Sequence, residues 1–190
     1  TGRDILALKA FEDVPFPMKP WPVNIPPTIY VPDMDLRAQI WCYTPERGMW
    51  EMVYQSTLTT VSTPSGDKQI ARDTGYRDME VFIEKDGTEA LYISTGMAQG
   101  SGAHILRTTD GRNFEVTTIP GIIPGLPEGS ISSIRALTEF NGKIYMTPAG
   151  SKGSGNMTEV RTVFESEDPA SGVWIPVSEP SFGDDTNLSI

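Results

Sequence analysis

The chain carries one imidazole, His104, in 190 residues. A lone histidine can act as a general base. It cannot build a two- or three-histidine metal site. His104 opens the apolar run His104-Ile105-Leu106, and a strand-start position favours a structural role over catalysis. Carboxylates are the other candidates: Asp78 beside Arg77, and Asp184-Asp185 shortly before Asn187. Glycoside cleavage needs two carboxylates across a pocket, which would pair Asp78 with Asp184 or Asp185. Asp184 and Asp185, with Asn187 and backbone carbonyls, also offer oxygens of the kind Ca²⁺ takes. One acidic pair falls short of a full coordination sphere, so a solvated loop is the plainer expectation and no other cofactor is implied. Cys42 is the only cysteine, which excludes an intrachain disulfide and a cysteine zinc site. It reads as a small apolar strand residue.

Two Gly-rich stretches could bring backbone donors close to a ligand. Residues 96–104 include Gln99 and Ser101, and residues 150–158 include Lys152 and Asn156. Flexibility alone is the plainer account of both. Lys152 is followed by no helical pattern, which excludes a Walker loop. No Ser-His-Asp or Cys-His set stands at a known motif spacing.

The elements that must position these residues are read from periodicity and repeats. Net charge is −10, with Lys and Arg sparse and scattered, which argues against nucleic acid and anionic membranes as partners. No apolar run is long enough to insert in a membrane as a helix. The chain starts at Thr1, without initiator Met or signal-peptide pattern, and reads as processed, trimmed or partial. Two sequons, at Asn156 and Asn187, are common by chance. Compartment stays open, with an extracytoplasmic one favoured over the cytoplasm.

Three segments repeat. Ile40 to Val53, His104 to Val116 and Val163 to Val177 each hold a short apolar strand, a tight polar turn and a strand opened by a large aromatic. Those aromatics, Trp50, Phe114 and Trp174, recur about every sixty residues, somewhat long for a blade repeat. A Tyr-centred strand precedes each segment: Thr28–Val31, Ala90–Ser94 and Lys143–Thr147. The last two follow Asp86-Gly87 and Asn141-Gly142, which are hairpin signals. Before those turns lie Glu80–Ile83 and Ala136–Phe140, matched in the first repeat by Ala7–Phe11.

Each unit is therefore predicted to be four antiparallel strands. A four-stranded sheet with two apolar faces must stack against siblings. The fold class is all-β: a β-propeller fragment of about three four-stranded blades, over residues 4–56, 77–120 and 132–179, with the start of a fourth at Asn187–Ile190. Residues 12–27, rich in Pro with Phe16 and Trp21 between, are predicted to be an extended arm that latches onto a partner protein. Residues 57–76 are predicted to be a polar connection.

Thr108-Thr109-Asp110-Gly111-Arg112-Asn113-Phe114 resembles a shortened Asp-box, the Ser/Thr-x-Asp-x-Gly-x-Thr-Trp turn of sialidase-like propellers. Ser166-Glu167-Asp168 with Gly172-Val173-Trp174 is similar but carries an insertion. Thr44 to Trp50 keeps the Gly and Trp without the Asp. The resemblance implies that Asp110 and Asp168 hold turns rather than catalyse. A sialidase also has a Phe/Tyr-Arg-Ile-Pro segment and an arginine cluster. The segment is absent, and the arginines here share no blade position.

In such propellers ligands sit where loops enter each first strand and join the second strand to the third. That face would carry Arg77, Arg135, Gln99, Ser101, Lys152, Asn156 and Asn187. Two functions follow as expectations. One is a non-catalytic recognition or scaffolding module that binds a partner protein or glycan. The other is a sialidase-like carbohydrate-active enzyme, a hydrolase or lyase, using loop carboxylates. A sandwich-type binding domain is a third reading, should the repeat be only apparent. Three blades leave two sheet faces uncovered, so the ring is expected to be completed by the remainder of the polypeptide or by another chain, and residues 1–190 alone are expected to self-associate.

Overall fold

A computed structural model describes residues 5–9, 36–98, 102–117, 131–150 and 163–184. The described residues are all-β, without α-helix. β1 (Ile5–Lys9), β2 (Gln39–Thr44) and β3 (Met49–Gln55) form a first antiparallel sheet. β4 (Leu58–Thr63) and β5 (Gly66–Ala71) form a hairpin. β6 (Asp73–Ile83), β7 (Glu89–Ala98), β8 (Ile105–Thr108) and β9 (Glu115–Val116) form a middle sheet in chain order. β10 (Ile131–Phe140), β11 (Lys143–Gly150), β12 (Phe164–Ser166) and β13 (Ile175–Pro176) form a last sheet, again in chain order.

Alternation explains why these strands stack. In the middle sheet Phe82, Ala90, Tyr92 and Ile105 face one way. They share a buried cluster with Ile134, Leu137, Ile144, Met146, Phe164 and Trp174 of the last sheet. Their neighbours Ile93 and Leu106 face the other way, where with Tyr76 they meet Ala38 and Ile40, flanked by Val53, Tyr54 and Phe114. The middle sheet is thus apolar on both faces and covered on both. Phe82 packs edge-on against Tyr92, with ring centroids 6.3 Å apart.

Turn chemistry is local. Asn141 and Gly142 take φ of 54° and 76°, the pair of left-handed residues that a tight hairpin requires. Gly96 sits where a side chain would be tight: an added Cβ would lie 3.3 Å from Arg77 Cβ and from the Tyr76 carbonyl carbon. It lets β7 pass close to the irregular stretch of β6, where the register shifts at Gly75 and Tyr76.

Two expectations need correction. Residues 57–76 are not a plain connection. They hold the β4–β5 hairpin and the start of β6. The Thr- and Ser-rich sequence hid alternation in which β-branched residues fill an exposed ribbon. Polar side chains tie it, with Ser62 Oγ donating to Asp67 Oδ1 at 2.7 Å and Gln69 Nε2 to Thr60 Oγ1 at 2.6 Å. In the first sheet both edges of β2 are taken, by β1 and β3. The place expected for Thr28–Val31 is filled by β1, and those residues lie outside the described ones. So do the arm at 12–27 with Phe16 and Trp21, and Asn187–Ile190.

Truncating a side chain between sheets should be costly. Phe82 is 2% exposed and Val81 52%. Phe82→Ala is expected to lower unfolding free energy by about 3–5 kcal/mol, and Val81→Ala by under about 0.5 kcal/mol. Urea denaturation of both variants checks this.

Candidate functional site

The groups most able to do chemistry gather where the first and middle sheets meet, at one end of their strands. Asp73 opens β6 and is 1% exposed. Its backbone carbonyl accepts the N–H of Ala38 at 2.8 Å. Its Oδ2 accepts from Ser56 Oγ at 3.0 Å and from Tyr76 Oη at 3.3 Å, and Ser56 Oγ in turn accepts the Asp73 N–H at 2.9 Å. Arg72 pairs with Asp73 Oδ1 through Nη1 and donates through Nη2 to the Gly102 carbonyl at 2.6 Å. His104, just before β8, places Nε2 3.3 Å from Asp73 Oδ2, too poorly aligned for a hydrogen bond. Thr95 fixes the His104 backbone, donating from Oγ1 to its carbonyl at 2.7 Å.

Burial dominates the titration of this group. It pushes the His104 pKa down to about 4. Asp73 opposes that shift, and Arg72 adds to it. His104 is therefore neutral at pH 7. Tyr76 is driven well above the usual phenol range by burial first and by Asp73 second. Arg72 answers the carboxylate charge, as a buried ion requires.

Ser56, Asp73 and His104 are the three residue types of a hydrolytic triad in the wrong order. A relay needs the imidazole between hydroxyl and carboxylate. Here serine and histidine both face the same carboxylate oxygen, and Ser56 is fully buried. The arrangement holds strands together and has no nucleophile that substrate can reach.

Asp78 serves a second seam. Its Oδ2 accepts the Leu137 N–H of β10 at 2.9 Å, its Oδ1 accepts the Met79 N–H at 2.9 Å, and its own N–H donates to Ser94 Oγ. Two residues on, Glu80 Oε1 accepts the Glu139 N–H at 2.6 Å. Side chains of one first strand thus satisfy backbone donors of the next sheet's first strand. Nearby, Arg107 grips Glu84 with two hydrogen bonds of 2.6 and 2.7 Å, and Tyr92 Oη donates to the same carboxylate at 2.5 Å. These bonds, Arg107 foremost, hold the Glu84 pKa below the usual carboxylate range.

The turn at Thr108–Phe114 is built on Asp110. Its Oδ1 accepts the N–H groups of Arg112 at 2.8 Å and Asn113 at 2.7 Å, while Gly111 N donates to Thr108 Oγ1 at 2.9 Å. Those backbone donors pull the Asp110 pKa far down. Asp168 does not copy it. Its carboxylate caps nothing, and its carbonyl accepts from Ser171 instead, because the inserted Pro169–Ser171 forms a 3₁₀ turn there.

Of the other sequence candidates, Arg77 is exposed on β6, Arg135 is partly buried on β10 and Asp184 is exposed. Gln99, Ser101, Lys152, Asn156, Asp185 and Asn187 lie outside the described residues. Asp78 and His104 belong to different seams, and among the described residues no three His, Cys, Asp or Glu side chains converge as metal ligands. Two open clefts of about 260 and 290 Å³ lie beside the β12–β13 and β8–β9 turns, and neither is lined by His104 or Asp78. Among the described residues no helix is long and apolar enough to cross a membrane. Sequence reasoning missed Arg72, Asp73 and Ser56. Charged residues at the head of an apolar strand were the available signal. Compared with known proteins, the chain matches no family model and none of the curated sequences.

The single histidine gives a clean pH test. Its pKa is lowered on folding, so unfolded chains bind more protons between about 4 and 6.5. Stability is then full above pH 6.5 and falls as pH drops toward 4. The loss should be on the order of 3 kcal/mol. His104→Gln should flatten that slope in denaturant titrations between about pH 5 and 6.5, above the range where carboxylates ordinarily titrate.

Proposed function

We propose that the stacked sheets are blades of an Asp-box-type β-propeller segment that works as a non-catalytic recognition module, taking a protein or glycan ligand on its loop face. One observation carries this reading. The described polar residues best suited to chemistry are spent on the fold: Asp78 on backbone donors of the neighbouring sheet, and His104, Asp73 and Ser56 in a buried seam. The blade reading is supported by consecutive antiparallel sheets stacked through alternate residues and by the Asp110 turn. The loop face is where Gly102 and Ala103 approach neighbouring strands, with Ala103 N donating to the Ile131 carbonyl at 2.8 Å. Exposed Arg77 lies on the adjoining strand. Rigid sheets presenting loops of this kind suit binding without turnover.

A glycan array tests the proposal. The expected outcome is retention of one glycan class, unchanged in an Asp78→Asn/Asp184→Asn double variant, with no reducing sugar released. Release of reducing sugar that the same double variant abolishes would replace recognition with the hydrolytic reading.

A further inference from the structure

Among the side chains of the Asp73 centre, only the His104 imidazole ordinarily changes charge between about pH 5 and 8. It is closed off from water, its side chain 6% exposed and that of Asp73 1%. The charges acting on it are Asp73 and Arg72, both at the head of β6. Tyr76 reaches the same carboxylate from further along that strand, and Tyr54 of β3 lies against Tyr76, with ring centroids 6.1 Å apart. Burial first holds both phenols above their ordinary range, so they stay neutral in acid. Thr95 of β7 and Ser56 after β3 complete the surroundings and do not titrate.

An imidazolium here would leave one carboxylate to answer two buried cations. Arg72 already holds Asp73 Oδ1. Oδ2 already accepts from Ser56 and Tyr76, and it stands 3.3 Å from His104 Nε2 without hydrogen-bond alignment. A buried charge so poorly partnered is costly, and the cost falls as soon as water reaches the ring.

The segment that carries the ring yields more easily than the carboxylate. Asp73 lies within β6, paired with Ala98, and its own peptide groups bind Ala38 N–H and Ser56 Oγ. Residues 102–104 stand outside any strand, just before β8. Their backbone is held by few bonds. Arg72 Nη2 donates to the Gly102 carbonyl at 2.6 Å, and Ala103 N–H to the Ile131 carbonyl at 2.8 Å. His104 N–H donates to Thr95 Oγ1 at 3.2 Å, while Thr95 N–H and Oγ1 donate to the His104 carbonyl. The only apolar side chain that would leave with them is the Ala103 methyl, and the fully buried Ile105 and Leu106 keep β8 in place.

We infer that residues 102–104 form an acid-operated catch: a proton from water adds to the His104 imidazole, the bonds to Arg72, Thr95 and Ile131 part, and the segment turns out to hydrate the cation. β6, β7 and β8 stay paired. The opened ring binds protons with ordinary affinity and the closed ring far more weakly. Opening therefore becomes easier as pH falls below about 6.5, and the effect levels off near 4. This is a local opening, distinct from unfolding of the stack. It does not depend on the loop face taking a ligand, so the glycan array leaves it untouched.

The test is amide hydrogen exchange on the full chain, resolved by NMR at about pH 7 and about pH 5, with each rate divided by that of the unfolded chain at the same pH. Protection of Thr95, Ala103 and His104 should fall about tenfold between the two. At the lower pH their exchange should ignore low urea, the mark of a local opening, while that of Tyr92 and Ile93 should rise with it. In His104→Gln the tenfold fall should vanish. Unchanged protection in the wild type, a urea response at Ala103 and His104 as steep as at Ile93, or an equal fall in the variant would each overturn the inference. Should the variant not fold, the urea comparison on the wild type decides.

Discussion

A β-sheet with apolar residues on both faces cannot remain in water, and the middle sheet is such a sheet. The buried apolar residues of its second and third strands are divided between its neighbours: Ala90, Tyr92 and Ile105 pack with the last sheet, Ile93 and Leu106 with the first. Removing either neighbour would expose a continuous apolar surface. Burying one such side chain is worth about 1.5–3 kcal/mol. The stacking order is therefore enforced by pattern alone, before any polar contact is counted. Within each four-stranded sheet consecutive strands lie side by side in chain order, as sequential strands usually do.

Stacking leaves a second problem, which the buried charges address. Where flat sheets diverge or end, backbone donors face a neighbour without a ladder partner. Asp78 and Glu80 reach across to the N–H groups of Leu137 and Glu139, and Asp73 binds Ser56 and Tyr76 while Arg72 neutralises it. An ionised carboxylate accepting backbone N–H groups makes a stronger bond than a neutral acceptor would. Such groups also specify geometry, since only one alignment of sheets satisfies them. Acidic residues concentrated on one strand edge can thus look like a reacting site while serving as fasteners.

Much of this was legible in the sequence because its signals are local. The Asn141-Gly142 turn, the Asp110 turn and the aromatic opening each fourth strand depend on a few adjacent residues, and strands appear where these signals place them. Three features escaped for physical reasons. The β4–β5 hairpin is exposed and polar, so it lacks the apolar alternation that marks a half-buried strand. β1 joins β2 across 29 intervening residues, and pairing over that distance has no local signature. The Asp73 centre draws on β6, the start of β8 and the residue after β3, and only tertiary packing brings Ser56, Asp73 and His104 together. His104 was expected to be structural because it heads a strand. The partner that explains its burial, Asp73, carried no motif.

The equivalence of the sheets is closest in the apolar positions and fails in the polar ones. At the seam between middle and last sheets the receiving strand supplies Asp78 and Glu80. At the matching positions of β10 stand Ala136 and Thr138, by the pairing of Glu80 with Tyr92 and of Thr138 with Tyr145. Neither can offer a carboxylate to a neighbour's backbone. The face of the last sheet that carries Phe140, Tyr145 and Ile175 therefore lacks the charged clasp that orients the internal seam. Apolar contact is tolerant of small rotations, whereas carboxylate–backbone bonds are not. The internal seams are accordingly built for a single fixed alignment.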